Sequence, residues 1–279
     1  MIFSCDAITK TGKAHTKCDD SSLSFKDESY AWAIISDGCS SSQDSDIGSR
    51  LLVNICNIVI EKMKTNFNSF SDQIYTESIK NLCREHVDFL AKYGISNTLF
   101  DATLGIIYAN NITRNFEVSL IGDGTILAIK KDGSYEWKQI SFRDGAPYYL
   151  SYKLDEQRDE RLKETYDMTR IIVNSDKRDE FFTDINYTMS FPMNKYHTVL
   201  LATDGIDTFH EMAKPEDGGG LLTLDSDLVR KEMTNFKSFN GNFIQRRVSR
   251  FLQDGFIQRR NHLDDFSLAG IHMNEELPL

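Results

Sequence analysis

Ala31-Trp32-Ala33-Ile34-Ile35-Ser36-Asp37-Gly38 is the stretch on which the reading turns. Its first five residues form a continuous apolar run of strand length. They lack the polar alternation of a half-solvated strand, so both faces of this strand are expected to be covered. The run stops at an Asp-Gly pair, and the same arrangement recurs. Thr198 to Ala202 runs to Asp204-Gly205, Phe116 to Ile121 and Thr125 to Lys130 flank Gly122-Asp123-Gly124, and Phe266 to Ile271 begins directly after Asp264-Asp265. Asp-Gly is among the commonest turn dipeptides, and each motif alone reads as a turn. The recurrence says more, because buried sheets place such strand ends near one another. Carboxylates gathered in that way repel and are costly to desolvate, and no Arg or Lys cluster flanks them. The physical remedy is a bound cation. Oxygen-only ligands favour Mg²⁺ or Mn²⁺ over Zn²⁺, which prefers His and Cys.

Outward from these strands, Ser21 to Phe25 reads as a further strand. A helix is expected from about Gly48 to Lys64, where Leu51, Ile55, Val59 and Met63 recur every four residues. A second helix covers about Asp72 to Tyr93, with Tyr75, Ile79, Leu82, His86, Leu90 and Tyr93 on one stripe and Gly94 as its stop. Thr103 to Ala109 and Tyr135 to Ile140 are strand-like, and Gly122-Asp123-Gly124 reads as a hairpin turn with glycine where positive φ is needed. Asp155 to Glu164 is densely charged, either a solvated helix or a flap. Asp176 to Asn194 carries no readable pattern, and Gly218 to Gly220 reads as a flexible loop. Two more helices are expected near Asp225 to Phe236 and Phe243 to Leu252. With neither repeat nor boundary in evidence, the expectation is one α+β domain over residues 1–279, sheets at the centre and helices outside.

Composition narrows the function classes. Of 279 residues 40% are hydrophobic, enough for a substantial core, so wholesale disorder is excluded. Lys plus Arg number 32 against 42 Asp plus Glu, and a formal charge of -10 matches nucleic acid poorly. The acidity either serves solubility or reflects carboxylates converging on hard cations. The five cysteines are odd in number and form no CxxC pair, which fits a reducing compartment. The first residues show no signal-peptide pattern, and no apolar run approaches the roughly twenty residues that span a bilayer. The expectation is a soluble cytoplasmic protein, with no nucleic acid or membrane as partner.

As an ordered set the motifs resemble those of the PPM/PP2C metal-dependent phosphatases, in particular their divergent bacterial branch. Gly12-Lys13-Ala14-His15-Thr16-Lys17-Cys18-Asp19-Asp20-Ser21 resembles the opening acidic motif. Ile34 to Gly38 matches the central Asp-Gly, Ala102-Thr103-Leu104 the small-Thr strand start, and Ile121 to Gly124 the Gly-Asp-Ser motif with Ser changed to Gly. Leu201 to Ile206 matches the third acidic motif, and Asp264 to Leu268 the terminal Asp-Asn/Asp motif. The resemblance implies an αββα sandwich, two central mainly antiparallel β-sheets flanked by helix pairs. It also implies a variable flap-like segment at about 143–195. By position Asp37 bridges two Mn²⁺ or Mg²⁺ ions, with the Gly38 carbonyl as an additional ligand. Asp204 and Asp264 bind the first ion, Asp19 sits beside the second through water, and Asp123 helps hold a weaker third. A water shared by the two cations then loses its proton near neutral pH and attacks phosphorus in line.

Some positions depart from that pattern. His15 stands where many members carry a phosphate-binding arginine, whose fork a neutral imidazole does not reproduce. Weaker phosphate binding, proton donation to the leaving group, and an ordinary polar loop residue stay open as readings of His15. Cys39 is either a redox-sensitive thiol beside the metals or a small residue packed under a loop. Asp19 replaces the commoner Glu, Asp265 replaces Asn, which reads as a neutral change, and Gly124-Thr125 replaces a Ser-Arg pair at the cleft edge. The expected activity is hydrolysis of phosphoserine or phosphothreonine in proteins, opposite a cognate Ser/Thr kinase, by a chain taken as a monomer by default. The alternatives are a pseudophosphatase that binds a phosphoprotein or nucleotide without turnover, and another two-metal phosphoesterase such as a nuclease, which the acidic charge disfavours.

Overall fold

A strand apolar on both faces must find cover on both, and this chain supplies it with a four-layer stack. The structure, a computed structural model, describes residues 2–64, 72–176, 179–182, 186–213, 219–254 and 260–274. One sheet has seven strands in the order β1 (Phe3–Lys10), β15 (Phe266–Met273), β11 (Tyr196–Ala202), β6 (Gly124–Lys130), β7 (Tyr135–Phe142), β8 (Arg170–Asn174) and β9 (Asp179–Phe182). The second has five, β10 (Asn186–Pro192), β5 (Asn115–Ile121), β4 (Leu104–Asn110), β3 (Tyr30–Asp37) and β2 (Asp20–Lys26). Every pairing in both sheets is antiparallel. A small third sheet joins β13 (Leu221–Thr223), β12 (Phe209–Met212) and β14 (Asn261–His262).

The period of two along each strand sorts the side chains into layers. On β3, Ala31, Ala33 and Ile35 enter the core between the sheets, while Trp32 and Ile34 face the helices. On β11, Val199 and Leu201 point inward and Leu200 and Ala202 outward. The five-stranded sheet is covered by α1 (Ser45–Met63) and α2 (Asp72–Leu90), which contribute Leu52, Cys56, Val59, Ile60, Tyr75 and Ile79. The seven-stranded sheet is covered by α4 (Ser226–Thr234) and α5 (Phe243–Gln253), through Val229, Met233, Ile244 and Phe251. The expected sandwich with two helix pairs is therefore the fold observed.

Elsewhere structure and expectation differ. The motif Gly122-Asp123-Gly124 does not close a hairpin. β5 lies in the five-stranded sheet and β6 in the seven-stranded one, so the chain crosses between layers at this point. Positive φ at Gly122 (92°) and Gly124 (144°) serves the layer change as it would serve a turn. Both flanking strands are buried along most of their length, and separate sheets give each its own two covers. The second helix ends at Leu90 in a short 3₁₀ turn, Ala91–Tyr93, with Gly94 left-handed as its stop. Residues 143–195 divide in two. The first part holds α3 (Glu156–Thr165), a solvated helix whose buried residue is Leu162, and the second joins the sheets as β8, β9 and β10. Of the Gly218 to Gly220 loop, Gly218 lies outside the described residues. Among the described residues no helix is long and apolar enough to cross a membrane.

Because β11 is covered on both faces, truncation on either face is expected to hurt. Leu200→Ala and Leu201→Ala, both 0% exposed, should each lower unfolding free energy by about 2–5 kcal/mol in urea titrations. A neutral result at Leu200 would mean that the outer helix layer is not in place.

Candidate metal centre

The sheets bring the aspartate-bearing strand ends to one edge of the sandwich, and local hydrogen bonds fix each backbone there. Asp37 ends β3, where its N–H donates to Thr103 Oγ1 at 2.9 Å and its carbonyl accepts from Thr103 N at 2.8 Å. Ser36 Oγ donates to the Thr103 carbonyl at 2.7 Å. Thr203, just before Asp204, repeats the device on the other sheet. Its hydroxyl donates to Asp20 Oδ2 at 2.8 Å and accepts from Ser267 N at 2.9 Å, tying β11, β15 and β2 together. Gly38 packs so closely that a Cβ would lie 2.8 Å from the Asp19 carbonyl and 2.7 Å from that of Ser45. A side chain there would push the Asp19 loop off the end of β3.

A cleft of about 200 Å³ opens at this edge. Asp19, Asp37, Gly38, Asp123, Asp204, Asp264 and His15, all singled out from the sequence, line it together. Asp37 and Asp19 come from the five-stranded side, Asp204 and Asp264 from the seven-stranded side, and Asp123 from the link between them. Cys39, Pro147 and Tyr149 complete its rim, and neither Lys nor Arg is among the lining residues. Asp19 is steadied by Ser45 Oγ at 3.0 Å and by Lys17 at 3.4 Å, the latter also bonded to Asp46 at 2.8 Å.

The electrostatics follow from this crowding. Burial drives the Asp37 carboxyl well above the usual range, with the charges of Asp20, Asp204 and Asp123 adding to it. Asp123 is pushed up to about 7, first by burial and then by Asp204. Asp204 stands exposed at the mouth, yet the concave protein surface around its carboxyl and the charge of Asp264 shift it upward too. Asp20, directly opposite Asp37 in the β2–β3 register, is 3% exposed and likewise raised by burial. Its Oδ1 is buried without a hydrogen-bond donor. Carboxylates so arranged, with an orphaned buried oxygen and neither Lys nor Arg among the lining residues, form a donor set suited to hard divalent cations.

The loop from Gly12 to Asp19 closes one side. Lys13 N and Ala14 N donate to the carbonyls of His262 and Leu263, each at 3.0 Å. His15 lies between two carboxylates, its Nε2 at 3.2 Å from Asp264 Oδ1 and its Nδ1 at 3.1 Å from Asp265 Oδ2. Partial burial depresses its basicity, but the Asp265 bond and the charges of Asp265, Asp264 and Asp19 outweigh that, so its pKa is raised. Cys39 Sγ lies 3.1 Å from Ser41 Oγ, and the hydrogen bonds around the thiol outweigh its burial and lower its pKa.

Two residues with large roles here carried little signal. Asp20 was visible only as the second half of an acidic pair. Asp265 is 2% exposed and accepts the backbone N–H of Gly12 at 2.8 Å and of Asp19 at 2.6 Å, so its exchange for Asn is not a neutral detail. The adjacent aspartates at 264–265 were the available clue.

The family model described as Protein phosphatase 2C matches residues 10–253, and the chain belongs to that family. No curated protein matches it in sequence. Among solved structures it is similar to a bacterial serine phosphatase (13% identity, covering 98% of this chain and 99% of that one, TM-score 0.55). It is also similar to the serine/threonine phosphatase Stp1 from Staphylococcus aureus (13% identity, 99% and 96%, TM-score 0.54). RsbX in complex with magnesium matches at 14% identity over 98% and 96% of the two chains, with a TM-score of 0.50. Identities this low carry the fold alone.

The raised carboxyls and His15 all bind protons more tightly in the folded chain than in the unfolded one. Their contribution to stability is therefore present at low pH and lost as pH rises, for Asp123 from about pH 4 to about pH 7. The thermal midpoint of the metal-free protein should fall across that window, and Mn²⁺ should restore it more strongly the higher the pH. Asp37→Asn removes the most crowded charge, so it should raise the metal-free midpoint near pH 8 and abolish the Mn²⁺ effect. A flat midpoint in the parent would contradict the charge crowding.

Proposed function

We propose that the chain is a metal-dependent phosphatase acting on phosphoserine or phosphothreonine in proteins. The observation that carries this reading is the gathering of Asp19, Asp37, Asp123, Asp204 and Asp264 in one cleft without a Lys or Arg among its lining residues. On this reading Asp37, the Gly38 carbonyl, Asp204, Asp264 and Asp19 would hold two Mn²⁺ or Mg²⁺ ions. Asp123 serves a weaker third ion. The chemistry such ions supply is acidification of water and neutralisation of phosphoryl charge.

The chain's own residues set the conditions for it. An acidic cleft repels a bare phosphate, so substrate binding requires the cations to be in place first. Thr103 and Thr203 keep the carboxylates in position from the backbone side. Pro147 and Tyr149 wall the cleft on the side of the 143–169 stretch, where the residues flanking a phosphorylated side chain would pass. A cytoplasmic location and a Ser/Thr kinase as counterpart belong to the same proposal. A second reading, a phosphoprotein or nucleotide binder without turnover, draws on the missing arginine and on Gly124 in place of the serine of the Gly-Asp-Ser motif.

Hydrolysis of p-nitrophenyl phosphate with and without Mn²⁺ separates the two. Metal-dependent turnover is expected, and in Asp37→Asn and Asp204→Asn it should drop to the level of the metal-free control while the far-UV spectrum is unchanged. Turnover retained in both variants would sink the two-cation reading, and a folded, Mn²⁺-loaded parent without turnover would favour the binder.

A further inference from the structure

Two of the departures from the phosphatase pattern, His15 in place of arginine and Asp265 in place of asparagine, touch each other. The contact runs from His15 Nδ1 to Asp265 Oδ2 at 3.1 Å. Asp265 accepts two backbone N–H groups, Gly12 N on Oδ1 and Asp19 N on Oδ2, and the His15 ring nitrogen lies against the same Oδ2. An asparagine would turn its NH₂ group toward one of these donors, so this junction calls for a carboxylate. The other ring nitrogen, Nε2, lies 3.2 Å from Asp264 Oδ1, which also accepts the Asp265 N–H at 2.8 Å. Each ring nitrogen of His15 therefore sits against a carboxylate oxygen, and Asp264 Oδ1 meets both the imidazole and the Asp265 N–H.

We propose that His15 is a positioning residue for Asp264, anchored in turn by Asp265, and that it does not contact the phosphoryl group. The relay Asp265–His15–Asp264 fixes the orientation of a cation ligand, as outer hydrogen bonds commonly do at metal sites. The assignment rests on Asp264 being a cation ligand. The ligand atoms of His15, Asp19 and Asp265 also lie within 4.8 Å of one another. A cation drawn by that trio would have to break the bonds from Gly12 N and Asp19 N to an Asp265 side chain that is 2% exposed. The geometry assigns Asp265 to holding the loop.

Titration calorimetry of the full chain with Mn²⁺ tests this on the parent, His15→Ala, His15→Gln and Asp265→Asn. His15→Ala and Asp265→Asn should each weaken Mn²⁺ binding about 10- to 100-fold with the number of bound ions unchanged. His15→Gln, whose amide offers a donor near the Nε2 position, should recover part of the loss. Adding His15→Ala to Asp265→Asn should cost little more, because the two act through one relay. At saturating Mn²⁺ the KM for p-nitrophenyl phosphate should stay at the parent value. Unchanged Mn²⁺ affinity with a raised KM in His15→Ala would overturn the assignment and make His15 a phosphate ligand. Loss of a bound ion in Asp265→Asn would overturn it in favour of a direct ligand role. A parent chain that takes up no Mn²⁺ would overturn the metal centre and this assignment together.

Discussion

Like-charge repulsion at one edge of the sandwich is the constraint to which the rest of the molecule answers. Asp20, Asp37, Asp123 and Asp204 all have carboxyl groups raised above their ordinary range, and burial comes first among the causes at each. Basic side chains relieve it only in part, through Lys17 beside Asp19, His15 against Asp264 and Asp265, and the charge of Arg170 on Asp123. Otherwise the fold uses neutral means: threonine hydroxyls that fix backbone geometry, and glycines such as Gly38 that let chains approach where a Cβ would collide. The cost is borne by three hydrophobic layers, one between the sheets and one beneath each helix pair. Such a site is destabilising to the metal-free fold, the usual relation between a functional site and stability.

The site also depends on the architecture in a direct way. Asp37 belongs to the five-stranded sheet, Asp204 and Asp264 flank strands of the seven-stranded sheet, and Asp123 sits on the segment that passes between them. No single sheet holds the donor set, so the spacing and rotation of the two sheets determine whether the carboxylates share a cation. The inter-sheet core, with Ile35, Leu120, Ile126 and Leu201 close to these strand ends in sequence, therefore sets the geometry of the centre. An ion bound across the cleft ties the sheets together, and fold stability and metal affinity become linked quantities.

Much of this was legible because two signals agreed. Apolar runs such as Ala31 to Ile35 announced strands covered on both faces, and their ends carried aspartates. Together these point to central sheets with helices outside and to the cluster of Asp37, Asp123, Asp204 and Asp264, whereas the two-sheet sandwich and the places of Asp19 and His15 come from the family resemblance. Gly122-Asp123-Gly124 misled, since positive φ at glycine serves a hairpin and a change of sheet equally and local sequence holds no record of which strand pairs with which. β1 and the strands at Asp179–Phe182 and Asn186–Pro192 went unread because they are edge or near-edge strands with weak apolar alternation. Asp265 was misjudged for a different reason. Its value lies in accepting backbone N–H groups from a loop some 250 positions away, and side-chain identity does not disclose such partners.

The contact between His15 and Asp265 changes how both substitutions should be weighed. Taken alone, the exchange of arginine for histidine looks like the loss of a phosphate grip, and that of asparagine for aspartate like drift. In the structure the carboxylate at 265 holds the imidazole at 15, and the imidazole reaches the candidate cation ligand Asp264. The pair lies on the Asp264 side of the cleft. On the proposed function, with neither Lys nor Arg lining that cleft, recognition of a phosphoryl group would fall to the bound cations. Holding those cations in a fixed arrangement then becomes the main demand on the protein, and a relay that orients Asp264 answers that demand where a guanidinium fork aimed at substrate would not.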